Sequence, residues 1–284
     1  MTVRILAGLR DIAAHYDGYV LDLWGVLFDG HQPTPGALDA LRALRRAGKR
    51  TLVLSNAPRR AHLVERRMNE IGIPAGLYDH VHSSGEETWQ HLKKRDDEFY
   101  ASLGSACYHI GPQRDDNMVE GVGLSCVASV EDADFILNTG PGADEKIEDF
   151  EPMLQAARRR SLKMVCANPD LVVAYGDKLY LCGGSIAQRY EELGGTVRWH
   201  GKPLPDVYET AFKLLGISDK RRILAVGDSI RTDIAGANAA GIDSLFVATG
   251  IHAEELSAID PQRLAAAFGA HGENPTAAID YFKW

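Results

Sequence analysis

The apolar positions of this chain fall into short continuous runs separated by stretches in which they recur every three or four residues. Runs of that kind read as strands covered on both faces, and the three-to-four spacing reads as helix. Residues 19–23, YVLDL, form the first strand. A helix follows in PGALDALRALRRAGK, with Leu38, Leu41 and Leu44 on one face and Gly48 as its stop signal. RTLVLSN is the second strand, RRAHLVERRMNEIG the next helix, and DHVHSSG a short strand that runs into the helix EETWQHLKK. From about residue 98 the texture changes. SACYHIG, ADFILNTG and SLKMVCANPD read as three more strands, with helices such as KIEDFEPMLQAARRR between them. The first pattern resumes at RWHGKPLPDVYETAFKLLG, followed by strand RRILAVGDS, helix TDIAGANAAG and strand DSLFVATG. The polar, Ala-rich HAEELSAIDPQRLAAAFGAHG reads as a closing helix and loop. Strands alternating with helices predict an α/β fold with a doubly wound parallel sheet. The core covers residues 1–97 and 198–284, and a compact α/β insert covers 98–197.

Length and charge narrow the function. At 284 residues the chain is long enough for two units, and 45% hydrophobic with 25% charged residues is an ordinary globular composition. The net charge of −8 argues against broad binding of nucleic acid or of anionic membranes. Cys107, Cys126, Cys166 and Cys182 show no C-x-x-C spacing, so neither a zinc site nor a disulfide framework is expected. The first twenty residues lack an apolar h-region with a small-residue cleavage site, and no run approaches the roughly 18 apolar residues of a membrane span. A cytoplasmic protein is the resulting expectation.

Polar groups stand where four strand patterns stop: Asp22, then Ser55 with Asn56, then Lys202 before a helix, then Asp228 with Asp233. Ligands of open parallel sheets sit outside the carboxyl ends of the strands. Each residue alone reads equally well as a cap or turn former, but their shared position points to one crevice. Three carboxylates gathered there would raise one another's pKa values. A hard divalent cation such as Mg²⁺ removes that penalty, and one carboxylate can then attack phosphorus to give an aspartyl-phosphate. Lys202 would offset charge on the phosphoryl oxygens, and Ser55 with the backbone near Asn56 would donate hydrogen bonds to them.

The segments DLWGVL, LVLSN, GKPLPDVY and GDSIRTDIAGANAAG resemble, in order, the four motifs of the haloacid dehalogenase (HAD) superfamily. An insert between the second and third motifs resembles the class IIA branch, the NagD-like and pyridoxal-phosphatase-like phosphatases, whose C2-type cap it would form. CANPD and CGGSIAQRYEELGG in the insert also resemble segments of that branch. The resemblance implies Asp22 as nucleophile and metal ligand, Ser55 as phosphate ligand, and Lys202 as the cation that stabilises phosphate and holds Asp22. It further implies Asp228 as a Mg²⁺ ligand and Asp233 as support for the metal shell, directly or through water. Asn168 and Asp170 are candidates for substrate contact, with a turn role equally open.

The first motif departs from the family at Trp24, where a second aspartate would act as general acid and base. Only the backbone carbonyl can be carried over there as a metal ligand. Three readings stay open. Asp29, His31 or a residue of the cap supplies the proton; or the chemistry does without it while Trp24 stacks on substrate, shields the site or simply packs; or the site binds a phosphorylated ligand without turnover. The function expected is Mg²⁺-dependent hydrolysis of a small phosphate monoester, such as a sugar phosphate or nucleotide. A homodimer joined through the cap is compatible with this reading. His80, His82, Glu86 and His91 lack the spacing of a second metal site and read as strand plus helix, and TGPG (139–142) lacks the P-loop pattern. His200 has no assigned role.

Overall fold

The computed structural model describes residues 3–175, 178–256 and 259–284. The chain opens with β1 (Arg4–Ile5) and β2 (Gly18–Leu21), then α1 (Ala37–Arg46), β3 (Arg50–Ser55), α2 (Ala61–Glu70) and β4 (His80–Ser83). Helices α3 (Ser84–Lys94) and α4 (Glu98–Ala101) lead into the insert. There follow β5 (Ala106–Ile110), β6 (Ser125–Cys126), β7 (Phe135–Asn138), α5 (Ile147–Arg159), β8 (Lys163–Cys166), the antiparallel pair β9 (Val172–Tyr175) and β10 (Lys178–Leu181), α6 (Gly183–Glu192) and β11 (Thr196–Trp199). The return comprises α7 (Pro205–Leu215), β12 (Ile223–Gly227), α8 (Ala235–Ala240), β13 (Asp243–Val247), α9 (Ala253–Leu256), α10 (Pro261–His271) and β14 (Ala277–Ile279).

Two parallel sheets result. The first has the order β1-β14-β13-β12-β2-β3-β4 and the second β11-β8-β7-β5-β6. Alternate residues of the first sheet face opposite layers. Leu21, Val53 and Val226 pack with Leu41, Leu44, Val64 and Met68 of α1 and α2, while Val20, Leu52, Leu54 and Ala225 pack with Val207, Tyr208 and Ala211 of α7 and Ala237 of α8. A fully buried aliphatic side chain contributes roughly 1.5–3 kcal/mol. Two such layers clamp the strand ends, and this holds several acidic groups together against their mutual repulsion. The second sheet is covered likewise, by α5 and α6 on one face and by Leu92 and Tyr100 of α3 and α4 on the other.

Three features differ from the pattern-based expectation. The closing segment does not end in a loop: after α10 it adds the buried strand β14, too short for a periodicity to register. The terminal strand β1 pairs with it. Arg198 and Trp199, read above with the returning core, are residues of β11, which pairs with β8 at the edge of the second sheet. Its polar edge position gave it no apolar run. All four cysteines are free thiols, and no helix among the described residues is long and apolar enough to cross a membrane.

Candidate active site

Strand pairing explains how Asp22 and Asp228 meet. β2 and β12 are neighbours with Leu21 opposite Val226, and the amide of Asp22 still donates to the Val226 carbonyl at 2.9 Å. Both strands therefore end at one level, with Asp22 and Asp228 side by side. Asp233 arrives from the π-helical turn Ile230–Ile234, which Ser229 opens by accepting from the Thr232 amide. The carboxylates of Asp22, Asp228 and Asp233 come within 4.8 Å of one another, and all three residues are buried.

Lys202 lies in the middle of this group. Its Nζ donates to Asp22 Oδ1 at 2.5 Å and to Asp233 Oδ1 at 2.7 Å. Asn56 sets its backbone, accepting from the Lys202 amide at 2.8 Å and donating to its carbonyl at 3.1 Å. Gly201, just before it, has φ +92°, a conformation that favours glycine, and an added Cβ would lie 2.5 Å from Asn56 Oδ1. Ser55, at the end of β3, accepts from the Ala57 amide at 3.2 Å, which leaves its hydroxyl proton for another acceptor.

The hydrogen bonds divide the carboxylates by task. Asp233 uses both oxygens, one on Lys202 and one on the Ser229 amide (3.1 Å). Asp228 Oδ2 accepts from the Ile251 amide at 2.6 Å, whereas Oδ1 has no donor among the described residues. Asp22 likewise commits only Oδ1. Three carboxylates against one ammonium leave two negative charges without a counterion, the charge of one divalent cation. Electrostatics agree. Burial, followed by the negative charge of Asp233, pushes the Asp22 carboxyl up to about 7 against the opposing pull of Lys202. Burial and the charges of Asp22 and Asp233 hold Asp228 well above the usual carboxylate range. Burial disfavours the Lys202 ammonium, but Asp22 and Asp233 outweigh it and hold its pKa well above that of a free lysine. The donor set therefore suits a hard divalent ion.

Trp24 is half-buried and packs edge-on against Phe28, with ring centroids 5.0 Å apart at 73°. Its ring also leans on the core layer under the first sheet. Asp29 is exposed and forms a turn, its Oδ1 accepting from the amides of His31 and Gln32 at 2.8 Å each. His31 is exposed in the same turn. From the insert, Asp170 reaches the crevice and accepts from Asn56 Nδ2 at 2.9 Å. The Asn168 side-chain oxygen Oδ1 is engaged within its own turn, accepting from the Asp170 amide at 3.2 Å.

A buried group that motif spacing misses backs the lysine turn. Glu87 of α3 accepts from the Gly201 amide at 2.9 Å and faces His200 Nδ1 at 3.4 Å, while His200 Nε2 meets the Tyr100 hydroxyl. Glu86, by contrast, pairs with Arg60 at 2.7 Å. Only tertiary structure brings Glu87, Tyr100 and His200 together, since they lie on three separate segments.

Family models describing haloacid dehalogenase-like hydrolases match residues 19–125 and 199–270. A solved structure of a haloacid dehalogenase-like family hydrolase from Brucella suis superposes with a TM-score of 0.82 at 31% identity, over 96% of this chain and 97% of that one. The chain belongs to the haloacid dehalogenase-like hydrolases. D-glycerol 3-phosphate phosphatase of Mycobacterium tuberculosis is 32% identical over 245 residues, 86% of this chain; the chain spans 66% of that relative's length. Glycerol phosphate phosphatase of Mycobacterium tuberculosis, solved in complex with magnesium, superposes with a TM-score of 0.69 at 29% identity, over 95% of this chain and 76% of the other. As in the class IIA branch of these hydrolases, the second sheet is inserted between the Ser55 and Lys202 segments.

Proposed function

We propose that this hydrolase cleaves a small phosphate monoester in a Mg²⁺-dependent reaction through an aspartyl-phosphate on Asp22. The observation that carries the reading is the buried set Asp22–Lys202–Asp233–Asp228, gathered beyond the ends of the adjacent strands β2 and β12 with two negative charges uncompensated. Glycerol phosphate phosphatases among the relatives support a substrate of that size. Asp22, Asp228 and the Trp24 carbonyl would hold the ion, with Asp233 supporting it from the Lys202 side. When bound, Mg²⁺ supplies charge neutralisation to the carboxylates and to the phosphoryl oxygens.

Asp22 attacks phosphorus with the oxygen that Lys202 leaves uncommitted, and the bond from phosphorus to the ester oxygen breaks. Lys202 and the Ser55 hydroxyl take up charge on the phosphoryl oxygens, acting where charge is fixed and water is scarce. Water then attacks the aspartyl-phosphate, giving inorganic phosphate and free Asp22. Hydrolysis of p-nitrophenyl phosphate tests this, because its leaving group hardly needs an acid. Turnover should require Mg²⁺. Phosphate and Mg²⁺ raising the melting temperature with no turnover would instead establish a protein that binds a phosphorylated ligand without cleaving it.

Gly250 offers a second check on the ion. A Cβ built there would lie 1.7 Å from Asp228 Oδ2, so Gly250→Ala must push that carboxylate aside. The Mg²⁺ concentration giving half-maximal turnover is expected to rise by about 10–100-fold, the usual effect of disturbing a ligand's support. An unchanged Mg²⁺ titration would remove Asp228 from the metal shell.

A further inference from the structure

With Trp24 in the acid/base position, the leaving oxygen needs a proton from elsewhere. The core offers poor donors: Asp29 and His31 are exposed in their own turn, and Glu87 faces His200 behind Lys202. Asp170 is placed differently. Its turn follows β8 and is held on both sides. The Gly184 amide of α6 donates to the Asp170 carbonyl at 3.0 Å, and a Cβ on Gly184 would lie 2.5 Å from the carbonyl oxygens of Pro169 and Asp170. From the core, Arg231 donates to the Pro169 carbonyl. The carboxyl group is thereby carried to Asn56, the residue after the phosphate ligand Ser55. Asn56 Nδ2 donates to Asp170 Oδ1 and to the Lys202 carbonyl, so one amide group ties the carboxyl to the lysine turn. Asp170 Oδ2 has no donor among the described residues.

The surroundings favour a proton on this group. Burial, joined by the negative charge of Asp233, raises its pKa above the usual carboxylate value, while Asn56, Lys202 and Arg231 oppose the rise. The charge of Asp170 in turn adds to the rise at Asp22, as expected of a group that faces the same crevice.

We propose that Asp170, carried by the insert, is the general acid and base of this hydrolase, doing from above what the residue at position 24 cannot do from within the first motif. The inference rests on the phosphatase reading. In the first step Asp170 passes its proton to the ester oxygen as the bond to phosphorus breaks, so the alcohol leaves neutral and Asp170 becomes a carboxylate. In the second it takes a proton from the water that attacks the aspartyl-phosphate, and the acid is restored. Because the donor belongs to the insert, the acid is in place only while the insert sits on the core.

The test compares p-nitrophenyl phosphate with glycerol 3-phosphate, whose alkoxide is a poor leaving group. Asp170→Asn keeps an oxygen acceptor for Asn56 and removes the proton. It is expected to lower kcat on glycerol 3-phosphate by about 10²–10⁴-fold, the range of general acid–base help, and to change p-nitrophenyl phosphate turnover by less than about tenfold. Adding Trp24→Asp to that variant should restore part of the lost rate on the alkyl ester. An equal loss on both esters would make Asp170 only a tie between insert and core, and no loss on either would make it idle; each overturns the proposal. Absence of turnover of both esters by the wild type, with Mg²⁺ present, would overturn the phosphatase reading itself.

Discussion

Asp22→Asn is expected to reduce turnover of any phosphate ester to the detection floor, a fall on the order of 10⁶-fold, the scale of losing a covalent nucleophile. The amide oxygen can still accept from Lys202 Nζ, which keeps Asp233 as its second partner, so the variant should fold. Replacing one of three crowded carboxylates also relieves repulsion. Thermal stability without Mg²⁺ should therefore stay level or rise, while stabilisation by added Mg²⁺ should shrink. Steady-state assays with p-nitrophenyl phosphate and melting curves with and without Mg²⁺ read both effects. A variant that keeps even a hundredth of wild-type turnover would rule out an aspartyl-phosphate on Asp22.

Lys202→Met is the second large effect, and it acts on stability as well as on chemistry. The ammonium is buried and pairs with two carboxylates that are themselves buried. Taking away one partner of a buried ion pair costs about 3–5 kcal/mol, because charge is left uncompensated in a dry site. Urea denaturation without Mg²⁺ should show a loss of that size. Saturating Mg²⁺ should return part of it, since a divalent cation supplies positive charge to the same carboxylates. Turnover should fall together with stability, because the proposed mechanism has Lys202 take up charge on the phosphoryl group. A loss below about 1 kcal/mol would mean that the carboxylates are protonated in the folded protein and need no counterion.

Where the chain advertised its site, it did so through strand ends. Asp22, Ser55 and Asp228 each terminate an apolar run, and neighbouring parallel strands bring such termini to one edge of a sheet. Lys202 and Asp233 were legible through the GKP and GDSIRTD segments. Asp233 nevertheless spends both oxygens on Lys202 and the Ser229 amide, a detail that no sequence pattern encodes. Asp29 illustrates the limit on the other side. Its Asp-Gly pair announces a turn, and that turn engages one oxygen of the carboxylate, Oδ1, on the exposed surface.

Sequence alone determined the doubly wound α/β alternation, and its motifs supplied the insert and the candidate residue types for phosphoryl transfer as expectations. The resemblance also implies that Trp24 stands where a second aspartate is expected. These are local properties: hydrophobic period, turn chemistry and side-chain identity travel with the residue. Only tertiary structure decided which carboxylates share a counterion, that Glu87 and His200 back the lysine turn, and that Asp170 faces the crevice. The Asn56–Asp170 pair joins residues 114 positions apart, and the Asp22–Lys202 pair joins residues 180 apart. Hydrogen-bond geometry at such separations is set by how the two sheets pack, a property that no single stretch of the chain contains.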